Sequence, residues 1–129
     1  MILLDTHVWI WIQDDPRRLS RPAVSAIRRS RTSNEIAVSV ASLVELAGLL
    51  RRGRVRSSGS IENSLNRFVE GITVLPINIE IAALTAYFPP DFSNDPMDRI
   101  IAATARAEGL PLVTADQRML NCALLKTIW

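Results

Sequence analysis

The chain is poor in several things that would otherwise direct the reading. It has a single cysteine, Cys122, among 129 residues. One cysteine excludes an internal disulfide and fits a reducing compartment. No stretch approaches the roughly 20 consecutive apolar residues needed to span a bilayer. No basic leader precedes a long apolar run at the start, where Met1 leads straight into Ile2-Leu3-Leu4-Asp5. No internal repeat or low-complexity segment is visible. The expectation is a cytoplasmic, non-membrane protein. Its length suits one domain over residues 1–129, with little room for a second.

Lysine is also nearly absent. Of 15 basic residues, 14 are arginine and the other is Lys126. They gather at Arg17, Arg18 and Arg21, at Arg28, Arg29 and Arg31, and at Arg51, Arg52, Arg54 and Arg56. A guanidinium is a flat fork that matches phosphate oxygens, so such clusters suit a nucleic-acid backbone. A plain solvated surface is the alternative.

Short β-branched runs alternate with amphipathic stretches. Strands are expected at 2–4, 36–39, 72–75, 112–114 and 124–128. Helices are expected from Val8 to Ile12, from Leu19 to Arg29 and from Ser42 to Arg52. Further helices are expected around Ile61–Val69, from Ile77 to Phe88, and from Pro96 to a stop at Gly109. A short helical turn is expected after Thr114. Alternating strands and helices imply a parallel sheet covered on both faces, with right-handed crossovers. The fold class is α/β, a three-layer α/β/α sandwich.

Parallel strands deliver their carboxyl ends to one edge of the sheet, where the following helices begin. Asp5 follows the first strand, Glu45 lies near the start of the helix after the second, and Asp116 follows Leu112-Val113-Thr114. Asp98 opens the helix whose far end feeds that strand. Four acids distant in sequence therefore converge on one crevice. Each also has a local reading. Asp5 and Asp116 suit helix N-caps, and Ser42-Leu43-Val44-Glu45 fits a capping box. Asp95-Pro96 suits a cap with proline at the first helical position, leaving Asp98 to complement the helix dipole. Together, however, clustered carboxylates repel unless a cation sits among them. A hard divalent ion with oxygen ligands answers that need and serves phosphodiester hydrolysis.

These residues carry a family resemblance. Met1-Ile-Leu-Leu-Asp5-Thr-His, Ser42-Leu-Val-Glu45-Leu-Ala, Asp95-Pro-Met-Asp98-Arg-Ile-Ile-Ala-Ala-Thr and Val113-Thr-Ala-Asp116 resemble the signature blocks of PIN-domain ribonucleases. Within that family the chain is most similar to VapC-type toxins of bacterial toxin–antitoxin pairs, over nearly its whole length. It departs at Val44, where tryptophan often precedes the glutamate. It departs again in the segment from Phe88 to Asn94.

The resemblance implies a PIN-like fold and an endoribonuclease that needs Mg²⁺ or Mn²⁺. It further implies a homodimer and a VapB-like antitoxin that occludes the acidic pocket. Asp5, Glu45, Asp98 and Asp116 match the metal-binding acids, with Asp95 a lesser member of the set. Thr6 and Thr114 stand where a hydroxyl would orient a carboxylate or a bound water.

Other residues are open to two readings. His7 is a conceivable general base, although helix geometry is expected to turn it away from Asp5. Arg99 would either clamp a phosphate or pair internally with an acid. Trp9 and Trp11 are expected in the core or at a partner surface rather than stacking bases. Arg51, Arg52 and Arg54 would guide RNA or neutralise a helix C-terminus. Two other enzyme classes fit poorly. A haloacid-dehalogenase phosphatase wants a second Asp where His7 stands. A two-component receiver domain wants an acidic pair near the first strand and a lysine on a late strand, for which Lys126 is the lone candidate. The alternative of a different kind is a non-catalytic regulator that only binds RNA or protein.

Overall fold

The alternating pattern is realised as five parallel strands between two helical layers in a computed structural model that describes residues 1–129. The strands are β1 (Ile2–Leu4), β2 (Ile36–Ser39), β3 (Thr73–Leu75), β4 (Leu112–Val113) and β5 (Thr127–Ile128). They lie in the order β3-β2-β1-β4-β5, every pairing parallel. The helices are α1 (Thr6–Asp14), α2 (Arg21–Thr32), α3 (Val40–Arg51), α4 (Ile61–Phe68), α5 (Ile79–Leu84), α6 (Pro96–Glu108) and α7 (Gln117–Leu120). A single 3-10 turn spans Pro16–Arg18.

Side chains alternate across a strand, and the two faces of this sheet build two cores. Ile2 and Leu4 of β1, with Ile36 and Val38 of β2, pack under Val8 and Trp9 of α1 and Ala23 and Ile27 of α2. Leu3, Ala37 and Leu112 face the other way, onto Ile101, Ala102 and Met119. Burial on both faces explains why these strands read as continuous apolar runs rather than alternating ones. Trp9 belongs to the first core. It packs edge-on against Phe68 at 5.6 Å and donates its indole N–H to the Phe68 carbonyl at 3.2 Å.

Local chemistry sets the helix ends. Ser20 caps α2 by accepting from the Ala23 amide at 3.2 Å. Gly109 closes α6 at φ +64°, in the left-handed region that a glycine enters without penalty. α5 is shorter than its Ile77-to-Phe88 periodicity predicts. Phe88 precedes Pro89, and a residue before proline is pushed out of the helical region. The Thr85 and Tyr87 carbonyls are also taken by Arg99 at 2.9 Å and Arg106 at 2.9 Å. Ile79 on this helix is 90% exposed. The last strand is confined to Thr127–Ile128, because the chain turns at 122–125, where Leu125 N–H donates to the Cys122 carbonyl.

The chain steps from β1 outward to β2 and β3, then crosses to β4 and β5 on the other side. The place where the direction reverses, at the carboxyl ends of β1 and β4, is where open α/β sheets hold their ligands. No helix is long and apolar enough to cross a membrane.

Candidate functional site

β1 ends at that reversal point, and the next residue, Asp5, is 3% exposed. One carboxylate oxygen accepts from the Thr6 amide at 2.9 Å, and the other accepts from the Thr114 hydroxyl at 2.7 Å. Thr114 directly follows β4. Its oxygen also accepts from the Asp116 amide at 3.0 Å, so one hydroxyl ties the first acid to the backbone of the last. Asp116 caps α7, accepting from the Arg118 amide at 2.8 Å.

Glu45 is held from across the sheet. Ser39, not Ser42, caps α3, accepting from the Ala41 amide at 3.1 Å. The capping box expected at Ser42–Glu45 therefore does not form. Glu45 sits in the second turn instead and accepts from the Thr6 hydroxyl at 2.5 Å. With its only proton committed there, Thr6 receives the Ser42 hydroxyl at 2.9 Å.

Asp95 does cap α6, accepting from the Met97 amide at 2.9 Å. Asp98, one turn in, accepts from the buried Ser93 hydroxyl at 2.7 Å, and Ser93 in turn accepts from the Asp95 amide at 3.1 Å. Ser93 did not emerge from the sequence. It stands in an irregular segment whose path is set by Arg99, which donates to the Ser93 carbonyl at 2.8 Å as well as to Thr85. Arg99 pairs with no acid. Its guanidinium fixes the loop that carries Ser93.

One oxygen from each of Glu45, Asp95 and Asp98 lies within 4.8 Å of the others. Asp95, the lesser candidate by sequence, is thus part of the tightest group, while Asp5 and Asp116 stand outside it. They are still close enough to act on it. Burial first, then neighbouring carboxylates, pushes Glu45 and Asp98 above the usual carboxyl range. The charge of Asp5 bears on both, and that of Asp116 on Asp98. Hydrogen bonds from Thr6 and Ser93 oppose the rise. Burial also raises Asp5, against the pull of His7 and the Thr114 and Thr6 bonds.

His7 lies closer to Asp5 than helix geometry led one to expect. Its Nδ1 is 3.6 Å from an Asp5 oxygen, and its Nε2 accepts from the Ala115 amide at 3.1 Å. The ring so held carries its proton on Nδ1, toward the carboxylate. Arg51 lies at the far end of α3 from Ser39, with Arg52 and Arg54 just beyond it, all three exposed.

The ion pairs of the molecule are Met1–Glu35 and Arg17–Asp15, and the His7 ring stands 3.6 Å from Asp5. No lysine or arginine neutralises the five clustered acids, so their repulsion is met inside the chain only by hydrogen bonds and one imidazole. An all-oxygen donor set with unbalanced negative charge fits a hard divalent cation.

A family model described as PIN domain matches residues 2–124. The chain belongs to the PIN-domain family. Its kinship within the family is to the VapC group: it is 36% identical over 118 residues to Ribonuclease VapC22 of Mycobacterium tuberculosis (strain ATCC 25618 / H37Rv), covering 92% of this chain and 88% of that one. Solved structures share the fold. A chain of VapBC2 from Rickettsia felis, bound to a DNA fragment from its promoter, superposes with a TM-score of 0.75 at 17% identity, covering 98% of this chain and 97% of that one. A chain of DNA-bound VapBC from Salmonella typhimurium gives 0.71 at 20% identity, with 98% and 97% covered.

Proposed function

We propose that this protein is a metal-dependent endoribonuclease, the toxin of a VapBC-type pair, working in the cytoplasm with Mg²⁺ or Mn²⁺. The observation that carries the reading is the Glu45–Asp95–Asp98 triad without a basic partner, in a chain 36% identical to a named ribonuclease. A VapB-like antitoxin and a homodimeric state belong to the same reading. The antitoxin is supported by solved structures of the same fold described as VapBC, and the homodimer by the family resemblance alone.

Glu45, Asp95 and Asp98 would hold the ion, with Asp5 and Asp116 adding negative charge beside it. Such an ion supplies charge compensation at the phosphoryl oxygens and an activated water. The chain's own groups do the positioning. Thr6 aims Glu45, Ser93 aims Asp98, and Thr114 keeps Asp5 turned toward the crevice. The N-terminal end of α6, the positive end of its dipole, lies at the same edge, which favours an anionic phosphate there.

The test is incubation of the purified protein with structured and unstructured RNA, with Mg²⁺, with Mn²⁺ and with EDTA. Cleavage that requires the ion and is lost in Asp98→Asn is expected. Cleavage that survives EDTA would overturn the metal dependence, and RNA binding without any turnover would make the protein a regulator that only binds.

A further inference from the structure

Residues 16–34 contain no acid and six arginines, Arg17, Arg18, Arg21, Arg28, Arg29 and Arg31. All six are exposed, and only Arg17 has a carboxylate partner. In a chain of net charge +2, this one segment is the main concentration of positive charge. On α2, Arg21, Ser25 and Arg28 recur at helical spacing and share a face. With Leu19, Val24 and Arg29 they line a shallow cleft.

The arginine face is joined to the acid pocket by a run of aromatic contacts. From Asp5 the path passes to His7, whose ring lies 4.8 Å from that of Trp11. Arg18 lays its guanidinium over Trp11 at 4.1 Å, and Trp129 stands 6.0 Å from the same ring. Trp129 directly follows β5, which places it at the sheet edge that also carries Asp5 and Asp116. The Thr114 amide donates to the neighbouring Ile128 carbonyl at 3.2 Å. Indole faces and guanidinium planes stack bases, and free guanidinium edges take phosphates. An acidic protein partner would need the charge but not the stacking planes. A nucleic-acid strand needs both.

We propose that single-stranded RNA flanking the scissile bond leaves the acid pocket across the Trp11–Trp129–Arg18 cluster and continues along the arginine face of residues 16–34. The placement beside the acids rests on the nuclease reading, whereas the binding itself does not. The Arg51–Arg54 segment, at the far end of α3, then plays the smaller part.

Two triple variants remove equal charge: Arg21→Ala with Arg28→Ala and Arg29→Ala, and Arg51→Ala with Arg52→Ala and Arg54→Ala. Their affinity for a labelled oligouridine is read by anisotropy in EDTA, so that no cleavage is required. The α2 triple is expected to weaken binding roughly ten- to a hundredfold at about 0.1 M salt and to flatten the salt slope by about 2. The α3 triple should change little. Oligouridine should also quench indole fluorescence in the wild type. That quench should vanish when Trp11→Phe and Trp129→Phe leave only the buried Trp9 to report, which a merely structural role for these rings would not predict. Equal effects of the two triples, or an α2 triple that binds RNA normally and loses only an acidic protein partner, would overturn the proposal. Binding as described in a chain that never cleaves RNA would leave this track standing and remove the nuclease reading. Cleavage with an unaffected α2 triple would do the reverse.

Discussion

The hydroxyl of Thr6 donates to Oε1 of Glu45 at 2.5 Å, joining residues 39 positions apart in sequence. It therefore couples the start of α1 to the second turn of α3. It also holds the Glu45 carboxylate, in the second turn of α3, beside Asp95 and Asp98. Thr6→Val keeps the shape and removes the donor. RNA cleavage should fall about ten- to a hundredfold, the usual loss when an outer partner of a metal site is removed. Comparing kcat and ion dependence of Thr6→Val with those of Thr6→Ser, which restores the hydroxyl, checks this.

Asp98→Asn should separate activity from stability. Asparagine can still accept from Ser93, but it removes one of the mutually repelling charges that, with burial, raise Glu45 and Asp98. Cleavage should drop by more than about a hundredfold, beyond the loss expected for an outer partner. The metal-free protein should gain about 0.5–2 kcal/mol, as substitutions that relax a strained active site commonly do. Chemical denaturation in EDTA reads the second effect.

The same burial and repulsion give a pH dependence whose sign can be worked out. Asp5, Glu45 and Asp98 hold their protons more tightly folded than unfolded, where their ordinary values are 3.8, 4.5 and 3.8. Between those values and the raised folded ones, the native state binds more protons, so stability falls as pH rises. The contribution of these three groups to the metal-free protein is thus most favourable below about pH 4 and least favourable above their folded pKa values. A bound cation reverses this by stabilising the charged forms. The rise in Tm on adding Mn²⁺ should be larger at pH 7.5 than at pH 5, measured by thermal unfolding at both.

How far the sequence disclosed this arrangement depends on the range of the interaction. Asp5 after β1 and the Asp95–Pro96 cap were legible because strand ends and caps are local chemistry. So was the stop at Gly109. The edge on which Asp5, Glu45, Asp98 and Asp116 meet followed from parallel topology alone. Ser93 was not legible, because its contact with Asp98 depends on the path of an irregular segment pinned by Arg99 from the helix behind it. Ser39 displaced Ser42 as the cap because α3 begins at Val40, two residues before the apparent capping box. Asp95 looked like a simple cap, yet its side chain both caps α6 and joins the triad. The nearness of His7 to Asp5 also escaped a helix-face argument, since Asp5 lies just outside the helix.

Arg99→Lys tests the loop clamp. A lysine ammonium on its flexible stem cannot reproduce the planar fork that reaches both the Ser93 and Thr85 carbonyls. The loss should cost about 1–3 kcal/mol of stability, and ion affinity should weaken because Ser93 no longer holds Asp98 in place. Denaturant midpoints and Mn²⁺ titration of the same variant report the two effects separately.

Calorimetric titration of Mn²⁺ into the wild type and into Glu45→Gln, Asp95→Asn and Asp98→Asn bears most directly on the metal centre. The triad geometry predicts saturable binding in the wild type and clear weakening in each of the three variants. Undiminished binding in all three, or none in the wild type, would contradict it.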